Sequence, residues 1–258
     1  MNGSFNSDLG GSSDSRFFTA MLEDAAELCE RRNRPVFTDF LTEAEQIASE
    51  SVMRRMHANY MLWGGFEGAE RRMLGVFPPY DEAAPALFPI DGVTASFRPA
   101  DSVEHRSVLG TLMAQGIERS CVGDILIESG RCVFFCRTTV TRALLNDVSK
   151  MGGVGVRLTQ GYTEPLPAAH SFKEFTVTIA SARLDCVAAA LAGVSRGRAE
   201  ELILAGEVMI NSVICKKVSQ NVNKGDKLTV RGTGKFIIDD LGTVTRKGRL
   251  ILSARKYV

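Results

Sequence analysis

The sequence predicts an α+β protein built in three parts: a helical N-terminal segment over residues 16–83, a middle domain over 84–160 and a C-terminal domain over 173–258. Three observations predict it. Apolar residues from Phe17 onward recur at helical spacing. Between Ala86 and Leu158 the pattern runs strand, helix, strand, strand, helix, strand. Across residues 161–172, which hold Gly161, Pro165 and Pro167, composition and charge change together, as at a linker.

The first helix places Phe18, Met21, Leu22, Ala25, Leu28 and Cys29 on one face, and Pro35 follows its end. Thr42, with Glu45 three residues later, has the form of a capping box and opens a second helix reaching about Asn59. Tyr60–Trp63 reads as a short strand closed by a turn at Gly64-Gly65. In the middle domain Ala86–Phe97 reads as a strand, Ser102 as the cap of a helix from Val103 to about Gln115, and Gly116 as its stop. Val122–Glu128 and Arg131–Cys136 form a hairpin around Ser129-Gly130. Thr138–Met151 reads as a helix closed by Gly152-Gly153, and Val154–Leu158 as the last strand. That order is the split βαβ arrangement of ferredoxin-like and RNA-recognition (RRM) folds. Beyond the linker, Glu174–Ile179 reads as a strand, Leu184–Ala192 and Arg196–Ala205 as helices, the second capped by Ser195, and short strands with Gly-Asp, Gly-Thr-Gly and Arg-Lys-Gly turns finish the chain.

Bulk properties narrow the class. The 258 residues are 45% hydrophobic and 24% charged, ordinary for a globular protein, and no apolar run approaches the ~18 residues of a spanning helix. Residues 1–15, rich in Gly, Ser, Asn and Asp, lack the basic and apolar regions of a signal peptide and read as a disordered lead-in. Six cysteines without framework spacing fit reduced thiols in a cytoplasmic protein. The near-neutral total conceals an imbalance. Residues 1–170 hold 16 Lys+Arg against 22 Asp+Glu, while residues 171–258 hold 15 against 8. A basic segment joined to an acidic one points to a polyanion-binding module, the plainer alternative being a solvated basic face.

The most specific pattern is Arg183-Leu184-Asp185, then Ser195-Arg196-Gly197-Arg198-Ala199, Leu202-Ile203, Gly206, Val208, Ile210-Asn211 and Gly225-Asp226. It strongly resembles the S4 RNA-binding domain. Arg196 and Arg198 fall in the first turn of a helix, where unpaired backbone N–H groups favour anions and guanidinium forks can grip phosphate oxygens. Arg183 opens the preceding helix, Asp185 can hold an arginine in place, and Lys216-Lys217 extend the basic face. The competing reading of Arg183 and Asp185 is an ion pair without a ligand. The RNA-binding set implied by the resemblance is Arg183, Asp185, Ser195, Arg196, Arg198, Ala199, Met209, Asn211, Lys216 and Lys217. Many S4 domains carry Gly after the strand-end Asn, whereas this chain has Ser212, which leaves the turn type open.

A second resemblance extends from about residue 17 to the end. It is carried by Phe37-Thr38-Asp39-Phe40-Leu41 with Glu45-Gln46, by Gly64-Gly65-Phe66-Glu67-Gly68-Ala69-Glu70-Arg71-Arg72, and by Glu104-His105-Arg106, Leu109-Gly110, Gly116-Ile117 and Gly123-Asp124-Ile125. With the S4 pattern these resemble the YlmH family of bacterial RNA-binding proteins. The resemblance implies a non-enzymatic protein that binds structured RNA (rRNA, tRNA) on the large ribosomal subunit, in rescue or quality control of stalled subunits. In the Gly64–Arg72 block, Glu67 and Glu70 are expected near the start of a following helix, with Arg71 and Arg72 projecting outward. These arginines, with His105 and Arg106, are candidates for a second RNA contact; a structural junction, and a capping or packing histidine, are the alternatives.

Recognised catalytic patterns are missing. His57, His105 and His170 lie in separate segments, and Cys132 and Cys136 flank Phe134 on one strand without a second pair to close a metal site, so they read as core thiols. No P-loop, nucleophile elbow or dinucleotide loop occurs, and neither a cofactor nor a metal is expected. Phe134 and Phe135 point to opposite faces, which makes base stacking on the middle sheet a weak expectation. The alternative to a docking protein is an S4-bearing pseudouridine synthase, whose Gly-Arg-Leu-Asp motif Arg183-Leu184-Asp185 mimics, though Ala182 stands in the glycine position. Without heptads or a long exposed apolar run, a monomer is the default.

Overall fold

The computed structural model describes residues 12–168, 172–245 and 248–257; residues 1–11, His170 and the Arg246-Lys247 part of the last turn lie outside them. The chain divides into two compact units, 1–169 and 170–258.

The first unit opens with α1 (Ser12–Arg32), so the helix begins inside the stretch expected to be a lead-in, and continues through β1 (Val36–Leu41), α2 (Glu43–Arg55), β2 (Asn59–Trp63) and β3 (Arg72–Phe77). The segment 16–83 is therefore not simply helical. Its strands form an antiparallel sheet in the order β1-β3-β2. The sequence hides β3 because Met73, Leu74, Gly75, Val76 and Phe77 are all buried, and a strand buried on both faces shows no alternation. α1 and α2 cover one face of this sheet through Phe18, Leu22, Cys29, Val52 and Met53. The capping box at the head of α2 forms: the Thr42 hydroxyl accepts from Glu45 N, and the Glu45 carboxylate accepts from Thr42 N at 2.7 Å.

The middle sheet comprises β4 (Ile90–Ser96), β5 (Val122–Glu128), β6 (Arg131–Arg137) and β9 (Arg157–Gln160), with α3 (His105–Ala114) after β4 and α4 (Thr138–Asp147) after β6. All four strands are antiparallel in the order β5-β6-β4-β9. Several boundaries differ from expectation. Pro85 opens a 3-10 turn and the strand starts only at Ile90. α3 is capped at Glu104 rather than Ser102, since residue 104 still has extended backbone. α4 stops at Asp147, and Gly152-Gly153 turn a small hairpin of β7 (Lys150–Met151) and β8 (Val154–Gly155) instead of ending the helix; both glycines have positive φ.

The two faces of the middle sheet have different fates. Cys132, Phe134 and Cys136 point toward α3 and α4, meeting Val108, Leu112 and Leu144. Leu126, Val133 and Phe135 point the other way and pack against Phe40, Met73 and Phe77 of the N-terminal sheet. Phe66 stacks on Phe135 at 4.8 Å, and Gly65 comes so close that a Cβ there would meet the Phe135 ring at 2.3 Å. The sheet face opposite the helices is thus filled by protein. At its rim a cleft of about 300 Å³ remains, lined by Trp63, Phe88, Phe135, Tyr162 and neighbouring small residues, with no charged side chain.

The second unit contains β10 (Phe172–Ile179), α5 (Leu184–Ala192), α6 (Arg196–Leu204), β11 (Val208–Ile210), β12 (Val213–Ile214), β13 (Lys227–Val230), β14 (Gly234–Val244) and β15 (Leu250–Tyr257). The strands make a six-stranded antiparallel sheet, β10-β15-β14-β13-β11-β12. Its core joins Leu184, Val187, Leu191, Ala199 and Ile203 of the two helices to Val208, Leu228, Phe236, Ile238 and Leu252 of the sheet.

Candidate RNA-binding face

The S4-like residues converge at the N-terminal ends of α5 and α6. Asp185, in the first turn of α5, is fully buried. Its carboxylate accepts from Arg183 Nε at 3.1 Å and Nη2 at 3.3 Å, and from Arg196 Nε at 2.6 Å. Burial alone pushes this carboxyl up, but the hydrogen bonds from Arg183 and Arg196 outweigh it and hold it below the usual carboxylate range. The arginines remain open to solvent: their side chains are 40% and 53% exposed. One buried anion therefore orients two exposed guanidiniums, an arrangement that both readings of Asp185 share.

Ser195 caps α6 by accepting from Arg198 N at 3.2 Å. Arg198, on the next outward position, donates to the Glu201 carboxylate at 2.6 Å and is largely exposed. Between the two arginines Gly197 is open: a Cβ there would meet nothing within 4 Å, so a phosphate can approach the backbone. Lys216 and Lys217 are exposed, and Lys216 runs beside Gly206 at the end of α6. Ala199 is buried in the core and positions the helix, and Met209 is partly exposed on the sheet.

Asn211 is a turn former. It has φ +51°, its amide N donates to Asp226 Oδ1 at 2.9 Å, and its side-chain oxygen accepts from Lys227 N at 2.9 Å. Ser212 follows at φ +64°, so the two-residue loop between β11 and β12 has both central residues left-handed, the turn that Gly would enter without strain.

The second candidate group divides. His105 and Arg106 are exposed at the start of α3, with Arg106 paired to Glu104 at 2.6 Å. Arg71 and Arg72 do not project outward, and no helix follows them. Arg71 donates through Nε to the Val122 carbonyl at 3.1 Å and through Nη2 to the Phe40 carbonyl at 2.9 Å. Arg72 donates to the Gln46 side chain at 2.7 Å. Asp124 accepts from Glu70 N at 2.6 Å and Arg71 N at 3.1 Å. Burial raises the Asp124 carboxyl, the two backbone hydrogen bonds opposing it; burial beside Arg71 lowers Arg119 to about 10. The Gly64–Arg72 block ties the N-terminal sheet to the middle sheet. Asp124 sits in the sequence within Gly123-Asp124-Ile125, and its partners more than fifty positions away give no local signal of this role.

The cysteines hold no cluster. Burial pushes Cys132 up to about 12 and Cys136 to about 11, so both stay protonated core thiols. Among the described residues no group of His, Cys, Asp and Glu could hold a metal ion, and no helix is long and apolar enough to cross a membrane.

Two oriented guanidiniums, an open helix start and flanking lysines fall within one segment, and comparison with known families gives its class: the S4 domain family matches residues 183–228. The family described as an RNA-binding domain in YlmH matches residues 97–164. The chain is 27% identical over 240 residues to ribosome-associated protein quality control protein P2 of Bacillus subtilis, an alignment covering 92% of this chain and 93% of that one. Its fold resembles the cell division protein ylmH from Streptococcus pneumoniae, with a TM-score of 0.51 and 20% identity over 63% of this chain and 96% of the other. RNA binding is the activity that the matched domains support.

Proposed function

We propose that this protein docks on the large ribosomal subunit through its S4 face, gripping structured rRNA or tRNA, and takes part in the rescue or quality control of stalled subunits without chemistry of its own. The observation that carries this reading is the pair of exposed guanidiniums, Arg183 and Arg196, oriented by a carboxylate that is itself buried. Desolvating an anion to fix two cations is useful where the cations must meet a ligand in one geometry. The Bacillus relative, ribosome-associated by name, supports the same partner. The protein acts as a cytoplasmic monomer. The RRM-like reading of the middle domain is supported by its strand order, but the face that RNA-recognition folds offer to bases is filled here by Phe40, Met73 and Phe77, so we assign the middle domain a scaffolding or protein-contact role.

The pseudouridine synthase alternative needs Asp185 as a reactive carboxylate. Both of its oxygens are engaged by guanidiniums and the side chain is fully buried, which leaves it no approach to a base. Co-sedimentation with isolated ribosomal subunits, with and without bound tRNA at two salt concentrations, tests the docking reading. The affinity for the large subunit should fall by roughly 0.7–0.9 log units per phosphate contact for each tenfold rise in salt. Absence of enrichment at low salt overturns it.

A further inference from the structure

The cleft at the rim of the middle sheet is open, apolar and held in shape by its own contacts. Trp63, Phe88, Phe135 and Tyr162 wall about 300 Å³ of space. Tyr162 is fixed in place, donating from its hydroxyl to the Gly65 carbonyl at 3.3 Å and meeting the Phe135 ring edge to face at 5.4 Å. The 3-10 turn Pro85–Leu87 adds Ala86 to the lining, and the next side chain, Leu87, stays 48% exposed. A preformed apolar slot of this kind is the usual form of a binding site.

The charge around it is of one sign. The segments that frame the cleft, 63–67, 82–92 and 162–166, hold Glu67, Glu82, Asp91 and Glu164 and no Lys, Arg or His. Asp91 stands opposite Cys136 and so faces the helices. The three glutamates are exposed, and among the described contacts no cation pairs with them; Glu164 accepts only from Leu166 N, at 2.9 Å. The arginines nearest in register are committed elsewhere. Arg131 donates through Nη1 to the Thr163 carbonyl and hydroxyl at 3.0 Å and through Nη2 to the Pro165 carbonyl, and it pairs with Glu128. Arg137, across from Ile90, is held by Asp39. Phosphates would meet carboxylates here and no free cation, which disfavours RNA. A lysine or arginine side chain suits both parts of the site, since its stem lies along apolar walls while its head stays in water beside a carboxylate. We propose that this cleft docks a basic segment of a protein partner, with a lysine or arginine stem between Trp63 and Tyr162 and the neighbouring positive charges on Glu67, Glu82 and Glu164. The site serves the protein-contact role proposed for the middle domain, on which it rests, and needs nothing from the S4 face.

Trp63 is the chain's single tryptophan, so its emission reports on the cleft alone. Titrating the full chain with octalysine should change that emission saturably, whereas octaglutamate or an oligouridylate of similar length should not. Ala86→Arg, which sets a cation on the lining from an exposed turn, should abolish the response and leave RNA binding by the S4 face within about twofold. Glu67→Gln with Glu82→Gln should weaken octalysine at least about twofold, the lower end for two exposed ion pairs; both positions are exposed, so this pair keeps the test valid if Ala86→Arg disturbs the turn. Arg183→Ala with Arg196→Ala should leave the Trp63 titration unchanged. No saturable response to octalysine, or one that the Ala86 and glutamate variants leave intact, overturns this site alone. A Trp63 change driven by oligouridylate overturns the site and the protein-contact reading together, and one driven by protein concentration alone makes the occupant a second copy of this chain and overturns the basic partner.

Discussion

Each half of the molecule contains an aspartate surrounded by arginines, and the two clusters do opposite things. In the first unit Asp124 receives two backbone N–H groups, while Arg71 beside it turns its guanidinium inward onto the carbonyls of Phe40 and Val122. In the second, Asp185 receives Arg183 and Arg196 directly, Glu200 stands 3.8 Å from Arg196 as a second, exposed partner, and both arginine side chains stay about half exposed. The residue types are the same. The difference is where the remaining donors end: on backbone carbonyls, which makes a joint, or in solvent, which makes a binding surface. An arginine is informative about a ligand only once the partners of all its donors are counted.

Substitutions can break this contrast, and the largest effect is expected at the joint. Asp124→Ala strips the acceptor from Glu70 N and Arg71 N and leaves half-buried guanidiniums without their anion, so chemical denaturation of the first unit should show a loss of about 3 kcal/mol, with the RNA affinity of the folded protein unchanged. Next comes the S4 face. Arg183→Ala with Arg196→Ala should lower RNA affinity and also cost the second unit about 2 kcal/mol, because the buried Asp185 carboxylate loses its partners. Arg198→Ala should lower affinity with a stability change below about 0.5 kcal/mol, since Arg198 is exposed and pairs only with exposed Glu201 among the contacts described. A stability loss as large as that of the double variant would refute the anchoring role of Asp185.

Acid sharpens the same point. Because the folded Asp185 carboxyl lies below its ordinary value of 3.8, its contribution to stability is fully present above that pH and is lost as the pH falls through the depressed value. Asp185→Asn should remove this component from a stability profile recorded down to low pH. A profile that keeps its full acid limb in the variant would show that other carboxylates carry it. The smallest effect is expected at Ser212, where Gly should relieve a left-handed backbone and stabilise the second unit by about 0.5–1 kcal/mol without changing RNA affinity.

The second unit's helices were legible almost residue by residue. The Ser195 cap is a local signal, and α5 and α6 fall within a residue of the expected bounds Leu184–Ala192 and Arg196–Ala205. The Arg183–Asp185–Arg196 cluster was half legible: the motif named its members, while full burial of Asp185 follows only from packing. Of the N-terminal sheet only β2 was legible, as the strand over Tyr60–Trp63; β1 and β3 were not. β1 contains Asp39 and Thr38 among its apolar residues, and β3 has no polar residue after Arg72, so neither alternates. The inward turn of Arg71 was invisible for another reason, since every group it touches lies at least thirty positions away.

The filling of the middle sheet's outer face by Phe40, Met73 and Phe77 also decides how the chain can be cut. A fragment beginning near residue 84 would retain β5 and β6 yet expose Leu126, Val133 and Phe135, all nearly or fully buried in the intact unit, as a bare apolar sheet. Such a piece would be expected to self-associate. For anyone dissecting this protein, the first 169 residues are a single indivisible part.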